Sequence, residues 1–218
     1  MPDTAATAAS ENIRVLICDD HALFRQGLKA LLRYESDFEV AAEVSRASDL
    51  LPTLAATPCD VLLLDLQMER WLLDDIASLA RIAPIVVVTA SERTADALAA
   101  LKLGAAAVVQ KRFVFETLIE AIQTVADGLV WMPPAVQAQL TAQWRAAADP
   151  RLTAREVEIA RSVALGKTNA EVAEQLSITE GTVKTHLNNV FKKLGIRNRL
   201  ELALHALKGD RGDETSDS

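Results

Sequence analysis

Acidic, hydroxyl and basic side chains stand at the ends of successive short apolar runs in the first half of the sequence. Asp19 and Asp20 follow IRVLIC, Asp65 ends DVLLLD, Thr89 ends PIVVVT and Lys111 follows AAAVVQ. If these runs are parallel strands, their ends lie at one edge of a sheet, where α/β proteins bind ligands. We therefore expect three carboxylates, a hydroxyl and an ammonium to meet there.

Such a set of groups suits phosphoryl transfer. Three neighbouring carboxylates repel one another unless a cation lies among them, and Mg²⁺ prefers oxygen ligands of this kind. One carboxylate can then act as a nucleophile toward phosphorus, while the metal and the lysine neutralise charge on the phosphoryl group. Each residue alone has an ordinary explanation, such as a helix cap or a surface charge. Five of them at successive strand ends favour a site.

The elements that would position these residues alternate along the chain. The four runs above and a weaker one, FEVAAEV, are short and apolar on both faces, as strands of a covered parallel sheet are. Helical patterns separate them, for example Phe24, Leu28 and Leu32, and an amphipathic helix over about 115–125 closes the unit near Gly128. This alternation predicts an α/β domain with a five-stranded, doubly wound parallel sheet.

The rest of the chain differs in charge. Residues 1–150 carry 12 basic and 20 acidic side chains, a balance of −8, whereas residues 151–208 carry 10 and 6, a balance of +4. The last ten residues, GDRGDETSDS, contribute −3, which gives the total of −7. An acidic front and a basic back indicate two domains with different partners.

The basic part has the pattern of an all-α unit of four helices. In LTAREV, Thr153 and Glu156 have the spacing of a capping box, and the first helix ends at Gly166. A helix over about 169–176, the turn SIT, the basic helix GTVKTHLNNVFKKLG and a last helix in NRLELALHALK follow. Short helices joined by a tight turn are typical of a helix-turn-helix.

The basic helix has two unlike faces on a helical wheel. Its apolar stripe, which would face the core, consists of Val183, Leu187, Val190, Phe191 and Leu194. The opposite face and one flank carry donors and cations and no acid after Glu180, which suits base edges and phosphates. An isolated helix of this kind could be merely solvated, but the preceding helix-turn and the local positive charge favour DNA binding.

Residues 152–207, LTAREVEIARSVALGKTNAEVAEQLSITEGTVKTHLNNVFKKLGIRNRLELALHAL, resemble the LuxR-type helix-turn-helix throughout. The resemblance implies that Lys184, Thr185 and Asn188 face bases in the major groove. It also implies phosphate or backbone contacts by Thr182, His186, Lys192, Lys193 and Arg199. The last helix of this family contributes to dimerisation, so that LELALHAL is a candidate half of a two-fold interface that requires paired half-sites.

The front constellation resembles the receiver domain of two-component response regulators, and the whole chain is similar to the NarL/FixJ type. LICDDHALFRQGLKALL is close to the opening of that subfamily. The resemblance makes Asp65 the phosphoacceptor for a sensor histidine kinase and Asp19 and Asp20 the Mg²⁺ carboxylates. Gln67 would offer its backbone carbonyl to the metal. Thr89 would be the switch hydroxyl and Lys111 its salt-bridge partner at the phosphoryl group.

Two features depart from the family pattern. After LDLQM the chain has ERWLLDD in place of the usual proline and Asp-Gly pair, and the 24-residue step from Asp65 to Thr89 is several residues short. We therefore expect a truncated third helix or a truncated loop before it. Val108 stands where the family often has a Tyr or Phe whose rotamer reports phosphorylation, and valine cannot make that movement.

We expect a receiver domain over 12–128, a linker over 129–150, a DNA-binding domain over 151–208 and a disordered acidic tail over 209–218. With no signal peptide pattern and no apolar run near 20 residues, the chain is expected to be cytoplasmic, without a membrane partner. Cys18 and Cys59 are too few for a disulfide framework.

Three functions are weighed on this basis. The first is a transcription regulator, not an enzyme, that is phosphorylated at Asp65 and binds DNA as a homodimer. The second is a DNA-binding regulator that ignores phosphate and whose receiver serves dimerisation, protein interaction or another ligand, a reading motivated by Val108 and the short loop. The third, a phosphohydrolase with an aspartyl-phosphate intermediate, lacks a general acid because Gln67 lies two residues after Asp65.

Overall fold

A five-stranded parallel sheet forms the front part of the protein. The computed structural model describes residues 12–138 and 150–208. The strands lie in the order β2-β1-β3-β4-β5, and every neighbouring pair is parallel. Their bounds are β1 Ile13–Cys18, β2 Phe38–Val44, β3 Val61–Asp65, β4 Ile85–Thr89 and β5 Ala107–Gln110. All five strands were predicted, and the doubly wound fold class is confirmed.

Helices cover both faces of this sheet, which explains why the strands are apolar on both sides. The helices are α1 Ala22–Tyr34, α2 Ala47–Ala56, α3 Ile76–Leu79, α4 Thr94–Lys102 and α5 Val114–Ala126. Alternate strand residues face α1 and α5, as Val15, Ile17 and Leu63 do, and form one core cluster with Leu28 and Leu118 of those helices. The intervening strand residues face α2, α3 and α4 and form the other cluster.

Four helices form the rear part, as predicted: α7 Ala154–Ala164, α8 Asn169–Leu176, α9 Glu180–Leu194 and α10 Arg199–Lys208. The predicted capping box of α7 is present, with Thr153 and Glu156 each bonded to the other's backbone N–H. Thr168 and Glu171 form a second capping box at α8, which the sequence analysis did not name. Gly195 ends α9 at φ 70°, a left-handed conformation that glycine adopts without steric cost.

The predicted linker begins as part of the front domain. Trp131 pairs in parallel with Ala107, donating its N–H to the Ala106 carbonyl at 3.0 Å, so that it adds a bridge beside β5. Residues 134–138 form a short helix, α6. The remaining linker residues, 139–149, and the acidic tail predicted to be disordered, 209–218, lie outside the described residues.

The two parts of the chain contact each other. Helix α10 packs on α7 and also touches α4. Gly166, at φ 93°, lies so close to residue 130 that a Cβ there would stand 2.9 Å from the Val130 carbonyl oxygen. The predicted domain ranges remain predictions, although the described helices of each part fall within them. Among the described residues, no helix is both long and apolar enough to cross a membrane.

Candidate functional site

The C-terminal ends of β1, β3 and β5 bring two carboxylates and one ammonium together. Asp19 and Asp65 are 1% and 2% exposed. Lys111 Nζ lies 2.8 Å from Asp19 Oδ2 and 2.8 Å from Asp65 Oδ2. The predicted convergence of strand ends is therefore present for these three residues, because β1, β3, β4 and β5 run parallel in neighbouring pairs and end at the same edge of the sheet.

Asp20 and His21 extend this group toward solvent. His21 Nδ1 lies 2.7 Å from Asp20 Oδ1 and 3.6 Å from Asp19 Oδ1. His21 was not among the predicted site residues, although its position next to Asp20 in the sequence was a signal. The ligand atoms of Asp19, Asp20, His21 and Asp65 all lie within 4.8 Å of one another, close enough to surround one cation.

Burial and charge act against each other in this group. Burial raises the pKa of Asp65 above its ordinary value, and this effect outweighs the hydrogen bonds from Lys111 and from the Gln67 N–H. Burial lowers the pKa of Lys111, but its bonds to Asp19 and Asp65 more than compensate and leave that pKa raised. Lys111 thus stays charged beside the Asp65 carboxylate, which burial makes costly to ionise.

The carboxylate oxygens fit a hard divalent cation. Asp19 Oδ2 is buried, and the Lys111 ammonium lies 2.8 Å from it. The carboxylates of Asp19, Asp20 and Asp65 together carry more negative charge than the single Lys111 ammonium balances, which favours a bound cation among them. Oxygen donors are the ligands that Mg²⁺ prefers, so the acidic cluster has the chemistry to hold that ion.

Gln67 and Thr89 border the carboxylates. Gln67 donates its N–H to Asp65 Oδ1 at 3.1 Å, and Thr89 Oγ1 accepts the Ser91 N–H at 3.1 Å. Thr89 is only 2% exposed. The roles of the Gln67 carbonyl as a metal ligand and of the Thr89 hydroxyl as a switch stay predictions.

The segment after Asp65 is short, as the sequence predicted. Helix α3 has 4 residues and follows a 3₁₀ turn over Leu73–Asp75. Side-chain bonds hold the preceding loop: Glu69 Oε1 accepts the Ala47 N–H at 2.6 Å, and Arg70 bonds both Asp75 oxygens at 2.5 and 2.8 Å. The truncated loop is therefore tied to α2 and to itself beside the site.

Val108 is 1% exposed and lies in the core cluster between the sheet and α4. A cavity of about 830 Å³ opens instead on the α1 and α5 side of the acidic group. Its walls are largely apolar and include Leu23, Phe24 and Phe115, while Asp65 and Lys111 lie at its polar end.

Helix α9 presents the polar face that the sequence predicted. Val183, Leu187, Val190 and Leu194 are buried. Lys184, Thr185, Asn188, Lys192 and Lys193 are exposed, and Thr182 and His186 are partly exposed. Thr185 Oγ1 donates to the Gly181 carbonyl of its own helix at 2.9 Å, so in this structure its hydroxyl hydrogen points along the helix.

Two of the predicted DNA contacts also bind within the protein. Lys193 Nζ lies 2.6 Å from Glu156 Oε2, which joins α9 to the capping box of α7. Arg199 donates to Asn169 Oδ1 at 3.1 Å and to the Lys167 carbonyl, and burial lowers its pKa to about 10. These partners are distant in sequence, and no sequence pattern predicted the contacts. The DNA contacts of both residues stay predictions.

The Glu156 contacts predict a pH-dependent stability of the DNA-binding domain. The bond from Lys193, followed by that from the Thr153 N–H, lowers the pKa of Glu156 from 4.5 to about 2. The ionised group therefore stabilises the folded state fully above about pH 4.5, and this contribution is lost as the pH falls toward 2. We expect Glu156→Gln to lower the melting temperature at pH 7 and to flatten its decline on acidification.

Circular dichroism melts between pH 7 and pH 3 test this expectation. The control is Glu158→Gln, which changes a half-exposed acid on the same helix. Equal pH profiles for the two variants would show that the Lys193 contact does not stabilise the domain.

Comparison with known proteins identifies both halves of the chain. Residues 15–123 match the family described as the response regulator receiver domain, and residues 150–206 match the bacterial regulatory proteins of the luxR family. The nitrate/nitrite response regulator protein NarP of Escherichia coli is 34% identical over 195 residues, which cover 86% of this chain and 91% of NarP. The chain belongs to the NarL/FixJ-type response regulators.

Solved response regulators share the two-part architecture. RcsB of Salmonella typhimurium aligns with a TM-score of 0.55 and 25% identity, covering 89% of this chain and 98% of RcsB. RcsB in complex with DNA aligns with a TM-score of 0.54 and 25% identity, covering 92% of this chain and all of RcsB (100%). The response regulator described here thus combines a receiver with a LuxR-type DNA-binding domain, as the sequence predicted, and its family consists of transcription regulators.

Proposed function

We propose that Asp65 accepts a phosphoryl group from a sensor histidine kinase and that the phosphorylated chain binds paired DNA half-sites as a homodimer. The observation that carries this proposal is the convergence of Asp65, Asp19 and Lys111, with Lys111 Nζ 2.8 Å from both carboxylates. A phosphorylated regulator of transcription would act in the cytoplasm, where its kinase and its DNA are both accessible.

The chemistry of the proposed step is a displacement at phosphorus. A carboxylate oxygen of Asp65 attacks the phosphorus, the bond to the donor's histidine nitrogen breaks, and the nitrogen keeps the electron pair. Lys111 lies where its ammonium neutralises charge on the transferred group. Thr89, buried at the end of the neighbouring strand β4, is the proposed hydroxyl partner of the phosphoryl oxygens.

Asp19, Asp20, Asp65 and the Gln67 carbonyl are the proposed Mg²⁺ ligands. An ion held there would supply positive charge to offset repulsion between the carboxylates and the incoming phosphoryl group. The carboxylate oxygens of Asp19, Asp20 and Asp65, which lie within 4.8 Å of one another, support this assignment. His21 Nδ1 lies within the same cluster, 4.0 Å from Asp65 Oδ2.

DNA would be contacted by α9. The face of Lys184, Thr185 and Asn188 is proposed to read base edges in the major groove. Thr182, His186, Lys192, Lys193 and Arg199 are proposed to contact the phosphate backbone. The exposure of the α9 face and the likeness to the RcsB–DNA complex support this proposal.

Dimerisation is proposed to involve α10. Leu202 and Ala203 of that helix are buried against the chain itself, at 0% and 1% exposure, so they hold α10 in place. A solved relative described as two RcsB dimers bound to two parallel DNAs supports a dimeric form on DNA.

A second candidate is a regulator that binds DNA without phosphate control. The buried Val108 and the four-residue α3 favour it, because both replace parts that the family uses near the phosphorylated site. In that case the apolar cavity beside α1 is a place where another ligand or a protein could act.

Phosphoryl uptake separates the two candidates. We expect the wild-type chain to gain one phosphoryl group from acetyl phosphate, measured by intact mass, only when Mg²⁺ is present. EDTA should abolish the gain. A chain that stays unmodified over hours at saturating acetyl phosphate and Mg²⁺ would favour the phosphate-independent regulator.

A further inference from the structure

Lys111 is surrounded by three groups, of which only two are carboxylates. Its Nζ lies 2.8 Å from Asp19 Oδ2, 2.8 Å from Asp65 Oδ2 and 4.5 Å from the centroid of the Phe24 ring. The Lys111 side chain is 16% exposed, so the three contacts enclose most of it. An ammonium within about 6 Å of a ring centroid is attracted by the negative charge on the ring face.

We propose that Phe24 is a positioning residue, whose ring holds the Lys111 ammonium beside the phosphoacceptor. This inference rests on the proposed phosphorylation of Asp65. A leucine would fill much of the same volume but offers no π face, so the proposal assigns the function to the ring's electrostatics and not to its bulk.

The ring contributes something that the carboxylates cannot. Asp19 and Asp65 attract Lys111 only to the extent that their charge is not shared with another cation, and both are proposed metal ligands. The Phe24 ring is not a ligand for a hard cation, so its attraction for the ammonium does not depend on how the carboxylates are occupied. It therefore keeps Lys111 close to Asp65 in every state of the site.

Contacts at the start of α1 fix the position of the Phe24 ring. Phe24 lies in the first turn of α1, and Arg25 beside it donates to the Asp19 carbonyl at 2.7 Å. Arg25 also pairs with Glu43 of β2 at 3.5 Å, which fixes the start of α1 against the sheet. Because Phe24 packs against the buried cluster between the sheet and α1, its ring is preorganised relative to Asp19.

The test compares Phe24→Leu and Phe24→Tyr with the control Phe38→Leu in the full-length protein. Phe38 belongs to the same core cluster but begins β2, at the other end of the strands. The first measurement is the upfield ring-current shift of the Lys111 ε-methylene protons, taken by NMR without Mg²⁺ or phosphodonor. The second is the rate of phosphoryl uptake from subsaturating acetyl phosphate with Mg²⁺.

We expect Phe24→Leu to lose the upfield shift and to slow uptake about threefold to tenfold. Phe24→Tyr should keep the shift and at least about half of the rate, because its ring face is retained. Phe38→Leu should leave both unchanged, even where it lowers the melting temperature.

Three results would overturn the inference: an unchanged Lys111 shift in Phe24→Leu, a wild-type rate in that variant, or an equal slowing by Phe38→Leu, which would assign the effect to packing. If the wild-type chain takes up no phosphoryl group, the proposed function fails. The ring-current measurement then decides alone whether Phe24 positions Lys111.

Discussion

Replacing Asp65 with asparagine is expected to lower phosphoryl uptake by more than about 10³-fold, the scale on which loss of a nucleophile acts. An amide oxygen is a poor nucleophile toward phosphorus, and no other carboxylate has the same position between β1 and β5. Asp19 lies beside Asp65, but it follows a different strand, β1, whereas Asp65 ends β3. The expected result is therefore a chain that folds and stays unmodified.

The fold should survive this substitution. Burial raises the pKa of Asp65, which means that the ionised carboxylate is costly in the folded protein without Mg²⁺. Asparagine removes that cost while it can still accept the Gln67 N–H. We expect a melting temperature in EDTA that is equal to or above that of the wild type.

Asp127→Asn is the matched control for this experiment. It makes the same chemical change at an exposed aspartate that follows α5, outside the acidic group. Intact mass and phosphate-affinity electrophoresis, run on all three proteins under one set of conditions, give the comparison. Phosphoryl uptake that persists in Asp65→Asn would assign the modification to another residue.

Substitutions on the exposed face of α9 are expected to change DNA affinity and specificity, the second largest effect after that of Asp65→Asn. Asn188→Ala should weaken binding to the cognate DNA about 10- to 100-fold and reduce discrimination against mutated sites, as the loss of a base contact does. Lys192→Ala should instead weaken binding to all DNA sequences alike. It should also make the slope of log K against log salt concentration less negative by about 0.9, as the loss of one phosphate contact does.

The exposure of Asn188 and Lys192 allows their effects on DNA binding to be separated from effects on folding. Asn188 and Lys192 are both exposed on α9, while the apolar side of that helix is buried in the domain. Neither side chain supports the fold, so neither substitution should change the melting temperature. Asn12→Ala, which removes the same amide from an exposed position before β1, is the control.

DNA titrations at several salt concentrations, with cognate and scrambled duplexes, measure both signatures. Asn188→Ala with wild-type affinity and wild-type specificity would contradict the assignment of this helix to the major groove. Equal salt slopes for Lys192→Ala and the wild type would remove Lys192 from the phosphate contacts.

Local sequence signals predicted the rear domain closely. The Thr153–Glu156 spacing located the start of α7, and Gly195 located the end of α9, because caps depend on residues within one turn of each other. The apolar stripe of α9 was also correct, with Val183 and Val190 both fully buried at 0% exposure. These features follow from helix periodicity and require no knowledge of distant contacts.

In the front domain, the topology of the parallel sheet predicted contacts between distant residues that local sequence patterns could not predict. Asp19 and Lys111 are 92 positions apart, yet the rule that parallel strand ends share an edge predicted their meeting. The short step from Asp65 to Thr89 predicted a truncated third helix or a truncated loop before it, and the structure has a helix α3 of four residues. The side-chain bonds that hold the shortened loop were not predictable, since they depend on the loop's own conformation.

Contacts between distant residues account for what the sequence did not show. Lys193 binds Glu156, and the Phe24 ring lies over Lys111, although each pair joins elements far apart in the chain. Trp131, which the sequence placed in a linker, is bonded beside β5 instead. Each of these depends on how helices and strands pack, and a single sequence carries no pattern for such pairings.

The central claim is that phosphorylation of Asp65 controls DNA binding, and one titration tests it most directly. DNA affinity and molar mass would be measured on the same wild-type sample before and after phosphorylation, with Asp65→Asn treated in parallel. A ligand shifts an equilibrium only by its differential affinity for the two states. We predict a rise in dimer content and at least about tenfold tighter binding to paired half-sites, in the wild type alone. Equal affinity and equal mass before and after full modification would contradict phosphate control and leave a regulator that responds to another signal.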